Sequence, residues 1–273
     1  MQKIDFTGRS VLITGGTKGI GLATALEFAR AGARTHLTYR WGSSDLNNLK
    51  ELFEKEALPN PSFYEADASQ EEDTRRLITE IRAKEERIDY FISNVGFSAR
   101  IASLRDYKKR SLYKTLDYST WPLLDYTKTI REVFGSYPRV VMGVSSDGPD
   151  HYYQGYDFVA ASKALLEFFG KYLGMHLSEE GSRVNILRCG MVKTDSFKQI
   201  FGEAFFTFLE EEGYQEDILV SPEECGRAIL ALCSDYFSAL NAQIITLDRG
   251  LPLRDNLMMR YFNWLARVDK NPK

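Results

Sequence analysis

Cysteine is scarce in this chain of 273 residues, which holds only Cys189, Cys225 and Cys233. The count is odd and no C-x-x-C spacing occurs, which argues against a disulfide framework and against zinc. Buried, reduced thiols are the expectation. Long apolar runs are missing as well: none approaches the roughly 18 residues that cross a bilayer. The opening MQKIDFTGRSVLITGG has no apolar stretch followed by a small-residue cleavage site. A cytoplasmic protein without a membrane partner is therefore expected. Charge of one sign is not in excess, since the net value of −3 gives no global drive toward nucleic acid. Repeats, low-complexity tracts and domain linkers are absent too. What remains, 44% hydrophobic and 27% charged, is ordinary for a soluble protein with ample chain to bury a core.

The run 10–14 (SVLIT) leads directly into GGTKGIG, after which 22–32 (LATALEFARAG) has helical periodicity closed by Gly32. In such a strand, glycine turn and helix, Gly15 lets the chain turn tightly, Gly19 lets backbone approach a pyrophosphate, and Gly21 admits close packing of helix on strand. Exposed N–H groups at the helix start, across Thr17, Lys18, Gly19 and Ile20, then receive phosphate oxygens. The second strand, 33–40 (ARTHLTYR), ends without the carboxylate that often meets a ribose 2′-hydroxyl. Arg40 stands there instead, and with Lys18 it suits a 2′-phosphate, because guanidinium is a planar fork of donors. NADPH is expected over NADH, with solvated surface cations as the other reading.

Further along, 44–57 reads as an amphipathic helix capped near Ser44 or Asp45. The segment 61–69 reads as a third strand, followed by a helix that Ser69 and Glu72 would cap. Strands are expected over 88–99, 138–146, 183–190 and 241–250 as well, and a helix starting at Ser221 with Pro222 in its first position. In the helix expected over 116–134, Pro122 either marks a start near Trp121 or kinks it.

The stretch 145–163 reads SSDGPDHYYQGYDFVAASK. Tyr156 precedes Lys163 by seven residues, and Val159 stands four before it. On a helix running from about 156, two turns put Tyr156 and Lys163 on one face, roughly 10 Å apart along the axis against roughly 6 Å for an i, i+4 pair. A hydroxyl so displaced suits a reaction in which charge develops on an oxygen remote from the atom that receives hydride, because donors must be aimed where charge appears. Tyr152, four residues before Tyr156, either lines an acyl pocket or is a chance aromatic among 15 tyrosines.

TGGTKGIG (14–21) matches the TGxxxGxG pattern of the short-chain dehydrogenase/reductases, and AASKALLEF (160–168) resembles their lysine-bearing segment. The Y-x6-K spacing, SNVGFSA (93–99) and DYST (117–120) resemble the enoyl-acyl-carrier-protein reductases, with the resemblance covering about 5–250. It implies an α/β, Rossmann-type doubly wound parallel sheet with helices on both faces, a single domain over 1–250. Residues 251–273 are then a C-terminal extension. It implies Asp67 and Ala68 at the adenine, Asn94 and Gly96 beside the ribose and nicotinamide, Lys163 on the nicotinamide ribose, and Val192 backbone with the Thr194 hydroxyl at the carboxamide. Tyr156 would donate to the enolate oxygen. Ser146 keeps the offset of a catalytic serine with its role open, and Ser119 replaces an asparagine that ketoreductases carry.

Phe97, Tyr152, Phe197 and Phe201 are candidates for the acyl pocket. The phenylalanine-rich segment within 191–215 either closes over a fatty chain as a lid or packs against the body. Six cations between Arg100 and Lys114 face one acid, Asp106; they form a solvated face or dock an acidic acyl carrier protein. The family also implies a homotetramer or homodimer. Two other readings stay open: a specialised ketoreductase using Tyr156 or Ser146, and a non-catalytic NADP-binding relative.

Overall fold

The apolar run 10–13 is buried at every position, as a strand covered by helices on both faces must be. It forms the centre of a parallel sheet in the computed structural model, which describes residues 4–40, 45–97, 101–202, 204–211, 214, 218–254, 256, 258 and 260–262. The strands are β1 (Ser10–Ile13), β2 (Arg34–Tyr39), β3 (Ser62–Glu65), β4 (Tyr90–Ser93), β5 (Val140–Ser146), β6 (Arg183–Cys189) and β7 (Ile244–Leu247). Their order is β3-β2-β1-β4-β5-β6-β7. The helices are α1 (Gly19–Arg30), α2 (Leu46–Lys55), α3 (Glu71–Arg82), α4 (Lys109–Ser119), α5 (Trp121–Phe134), α6 (Asp157–Ser178), α7 (Asp195–Phe201), α8 (Ala204–Glu211), α9 (Pro222–Cys233) and α10 (Leu251–Arg254).

Two apolar layers cover the sheet. One face packs Ala25 and Phe28 of α1 with Cys225 and Ile229 of α9; the other packs Leu77 and Ile81 of α3, Tyr126 of α5 and Leu166 of α6. The chain runs outward from β1 to β2 and β3, then returns to place β4 on the other side of β1. This is the doubly wound arrangement the resemblance implies, and it opens a crevice at the carboxyl ends of β1 and β4. Among the described residues no helix is long and apolar enough to cross a membrane. All three cysteines are buried and reduced.

Several boundaries follow local chemistry. Asp45 caps α2 by accepting from the Asn47 amide at 2.8 Å, while Ser44 lies outside the described residues. Between α4 and α5 the helix breaks at Thr120, so Pro122 sits in the first turn of α5, where its missing N–H is harmless. Ser221 and Glu224 close a capping box on α9. Ser69, by contrast, does not cap α3. The helix starts after Gln70, because the Asp67 carboxylate takes both the Ser69 amide and hydroxyl, at 3.0 and 2.8 Å, and Asp73 reaches back to the Asp67 amide at 2.8 Å. The phenylalanine-rich segment is two helices, divided at Gly202 with φ of 84°. The last strand covers only 244–247, flanked by Ala242 and Arg249 in left-handed conformations (φ 57° and 56°).

A buried polar cluster ties β2 to the loop after α3. His36, 2% exposed, meets the Tyr64 hydroxyl and the Glu85 carboxylate at 3.2 Å each, and Arg34 donates to both oxygens of Glu85 at 2.7 and 2.6 Å. Burial alone would raise the Glu85 carboxyl, but hydrogen bonds from Arg34 and His36 overcome it and hold the group down to about 2. A carboxyl depressed in the folded state stabilises the protein above its ordinary 4.5 and loses that contribution as pH falls toward about 2. The gap corresponds to roughly 3 kcal/mol. Glu85→Gln should therefore cost most near pH 6 in urea denaturation, with the difference from the parent chain shrinking by about pH 3. A difference that stays constant across this range would remove Glu85 as an acid-sensitive anchor.

Candidate active site

The glycine turn after β1 is built for close approach. Gly15 and Gly19 have φ of 63° and 53°, and a methyl group on Gly21 would lie 2.2 Å from the Gly15 carbonyl oxygen and 2.6 Å from Nδ2 of the Asn94 side chain. Asn94, at the end of β4, holds the turn by donating to the carbonyls of Thr14 and Gly15 at 3.0 and 3.2 Å. Lys18 precedes α1 without a side-chain cap, and the first turn of α1 has no acid. Its leading N–H groups and positive dipole end are thus left for an anion. The donor set fits the diphosphate of a dinucleotide.

A cavity of about 300 Å³ opens beside this turn. Gly15, Lys18, Gly19 and Ile20 line one side, and Asn94, Gly96 and Phe97 line another. Phe97 is fixed by its amide, which donates to the Ser119 hydroxyl at 3.0 Å; its ring tilts against Tyr118 at 5.7 Å. Val192, Thr194, Phe197 and Phe201 line it as well. Thr194 also caps α7, its hydroxyl oxygen accepting from the Phe197 amide at 3.1 Å.

Ser146, Tyr156 and Lys163 meet on the cavity wall. The Tyr156 hydroxyl donates to Ser146 Oγ at 3.1 Å, and Lys163 Nζ donates to the Val144 carbonyl at 2.8 Å. Burial pushes the Tyr156 phenol above its ordinary value, against a smaller lowering by Ser146, so the group is a neutral donor near pH 7. Burial pushes Lys163 down to about 8. Val159 shares the wall, so the position four before the lysine offers a methyl surface and no proton.

Tyr156 stands just before α6, not within it, so its place is set by loop geometry. Gly148 makes its bed: a methyl there would lie 2.7 Å from the Tyr156 ring. Tyr152 is the correction among the pocket candidates. It is 85% exposed, because the chain before 157 is not helical and a spacing of four does not bring side chains onto one face. Tyr153 takes the inner position, donating to Asp147 at 2.7 Å and packing edge-on to Tyr156 and Phe201 at 6.1 and 6.2 Å. Asp147 and Gly148 escaped sequence reasoning, since nothing in the local pattern sets either apart.

Other expected cofactor residues lie off this cavity. Thr17 is buried behind the turn at 3% exposure. Arg40 forms an ion pair with Asp67, whose carboxylate also accepts from the Tyr118 hydroxyl at 3.0 Å. Ala68 is buried beside them. The ends of β2 and β3 therefore pair the two groups that the sequence assigns to the 2′-phosphate and the adenine.

The family model described as Enoyl-(Acyl carrier protein) reductase matches residues 15–252. Among curated proteins, the chain is 29% identical over 254 residues to the 3-oxoacyl-(acyl-carrier-protein) reductase FabG of Thermotoga maritima, covering 89% of this chain and 98% of the relative. It is 22% identical over 251 residues to the enoyl-(acyl-carrier-protein) reductase (NADH) FabI of Aquifex aeolicus, covering 89% and 91%. A solved short-chain type dehydrogenase/reductase from Mycobacterium marinum superposes with a TM-score of 0.80 at 21% identity, over 90% of this chain and 96% of that one. With the glycine turn, the doubly wound sheet and the lysine wall in place, the chain belongs to the short-chain dehydrogenase/reductase superfamily of oxidoreductases, in the family described by the enoyl-(acyl carrier protein) reductase model.

Proposed function

We propose that this chain reduces the 2,3 double bond of an enoyl thioester, using NADPH. The observation that carries the reading is the cavity wall itself: Tyr156 presents its hydroxyl beside Ser146 while Val159 fills the position nearer Lys163. When bound, the nicotinamide supplies the hydride. Lys18, Gly19 and Ile20 would hold the diphosphate, and Lys163 the nicotinamide ribose. Tyr156 keeps its proton on the phenol oxygen and can turn it from Ser146 to a thioester oxygen on which charge develops, the use of a donor that lowers a barrier most. The Lys163 ammonium, largely retained at pH 7 with a value of about 8, adds positive potential on the same side. Water or a relay protonates the α-carbon. Phe197 and Phe201 present an apolar wall that suits a fatty chain and keeps water back.

A second reading rests on the Tyr156–Ser146 hydrogen bond, which also equips the site for a carbonyl, as in a specialised ketoreductase. NADPH consumption with crotonyl thioester and not with acetoacetyl thioester supports enoyl reduction; the reverse supports the second. A non-catalytic relative would bind NADPH and turn over neither. The delivering partner we infer is an acidic acyl carrier protein. Exposed Lys108, Lys109 and Arg110 lie on or beside α4, and on the same helix Lys114 Nζ lies 4.4 Å from the centre of the Phe97 ring at the cavity wall, so the cationic surface reaches the site where a thioester would enter.

Tyr156→Phe should lower turnover of the enoyl thioester on the order of a hundredfold, with the NADPH Kd unchanged by fluorescence titration. Full activity in that variant would take Tyr156 out of the mechanism. For cofactor choice, Arg40 exchanges the Asp67 carboxylate for a 2′-phosphate. Arg40→Ala should weaken NADPH roughly tenfold or more, the worth of a charge-assisted hydrogen bond, and leave NADH binding nearly unaltered. Equal effects on both cofactors would remove the NADPH preference.

A further inference from the structure

The cavity wall includes a thiol that the chemistry above does not use. Cys189 ends β6 and lines the cavity, and its Sγ lies 3.6 Å from Sγ of Cys225 in the first turns of α9. Cys225 is fully buried and is not on the cavity wall. We propose that Cys189 and Cys225 form a dithiol that a hydroperoxide entering through the cofactor-free cavity oxidises to a disulfide, and that an occupied cavity protects it. The protection rests on the reading of this cavity as the cofactor site.

The geometry favours the pair over any other thiol chemistry in the chain. A disulfide needs its sulfurs about 2.05 Å apart, so from 3.6 Å the two must close by roughly 1.5 Å. The elements that carry them belong to one apolar layer, so neither strand nor helix has to be recruited from elsewhere. Cys189 is the first to react because it faces the cavity. Lys163 lines the same wall. Contact with Cys189, together with burial, pushes the Cys225 thiol up, so it enters second.

The steps balance without metal or nucleotide. The sulfur of Cys189 attacks the peroxide, an S–O bond forms, the O–O bond breaks, and the thiol proton leaves with the departing oxygen as water. The sulfur of Cys225 then attacks Cys189, the S–S bond forms, the S–O bond breaks, and hydroxide leaves with the Cys225 proton as a second water. Two thiols lose two electrons and one hydrogen peroxide is reduced to two waters. Thiol–disulfide exchange with dithiothreitol reverses the product.

The test treats the cofactor-free chain with hydrogen peroxide, then denatures and alkylates it for mass spectrometry. The expected result is a linked Cys189–Cys225 peptide, with Cys233 alone of the three thiols still alkylated, and recovery of all of them after dithiothreitol. NADP⁺ at roughly ten times its Kd should slow the linkage roughly tenfold, the factor 1 + [L]/Kd for a protecting ligand. In Cys225→Ser, Cys189 should gain oxygen with no link formed. Three unmodified thiols, or a link that includes Cys233, would overturn the dithiol. Linkage equally fast in the presence of NADP⁺ whose binding calorimetry has verified would overturn the protection. If calorimetry shows no NADP⁺ binding, the cofactor reading falls, while the linked peptide still decides the dithiol.

Discussion

Lys163 has its buried ammonium bonded to the Val144 carbonyl at 2.8 Å, and that bond sets where α6 lies against the end of β5. A charge network one turn further along secures the same register. Glu167, 5% exposed, accepts from the Ser145 hydroxyl at 2.7 Å and from Arg188 of β6 at 2.9 Å, and Arg188 also pairs with Asp150. Breaking such a pair from one side leaves an uncompensated buried charge, a loss of about 3–5 kcal/mol. The helix is thus pinned to two strand ends, and everything before Lys163 is placed relative to them. Val159 falls on the cavity wall by helical geometry alone.

Tyr156 escapes that geometry, and here the site gains its distinctive shape. A residue at a helix position can move only in steps of the helix, whereas one just outside the first turn is free to be placed by its neighbours. Gly155 turns the chain with φ of 84°, Gly148 leaves room for the ring, Tyr153 and Phe201 flank it, and Ser146 accepts its hydrogen bond. The sequence spacing of seven therefore describes a distance along the chain more than a face of a helix.

What could be read from the residues follows from how local the cause is. The glycine turn, the start of α9 after Ser221 with Pro222 in its first position and the start of α5 at Trp121 depend on a few adjacent residues, and each stands where its chemistry directs. Ser69 misled because capping was a competition: Asp67, two residues earlier, took the hydrogen bonds instead. Tyr152 misled because its spacing presumed a helix that had not yet begun. Asp147 and the Cys189–Cys225 contact join distant parts of the chain, and no periodicity reports a contact that only the folded layers create. Ala242 and Arg249 occupy left-handed conformations, which favour glycine. The backbone there keeps its shape without the residue that makes it easy, at a local cost of about 1–2 kcal/mol.

The ion pair between Arg40 and Asp67 turns cofactor choice into a difference between two anions. Asp67 is buried to 6% exposure and fixed by Tyr118, so it is not free to follow Arg40 outward. A 2′-phosphate must draw the guanidinium from a placed carboxylate, while a 2′-hydroxyl leaves the pair intact. Selectivity is then the surplus of the new contact over the old one, less the exposure of a carboxylate that has lost its partner. A cofactor with more charge gains only if its phosphate holds the fork better than Asp67 does. For this reason the absence of an acid at the end of β2 is an incomplete guide to the cofactor: the acid is present, supplied by the loop after β3, and already engaged.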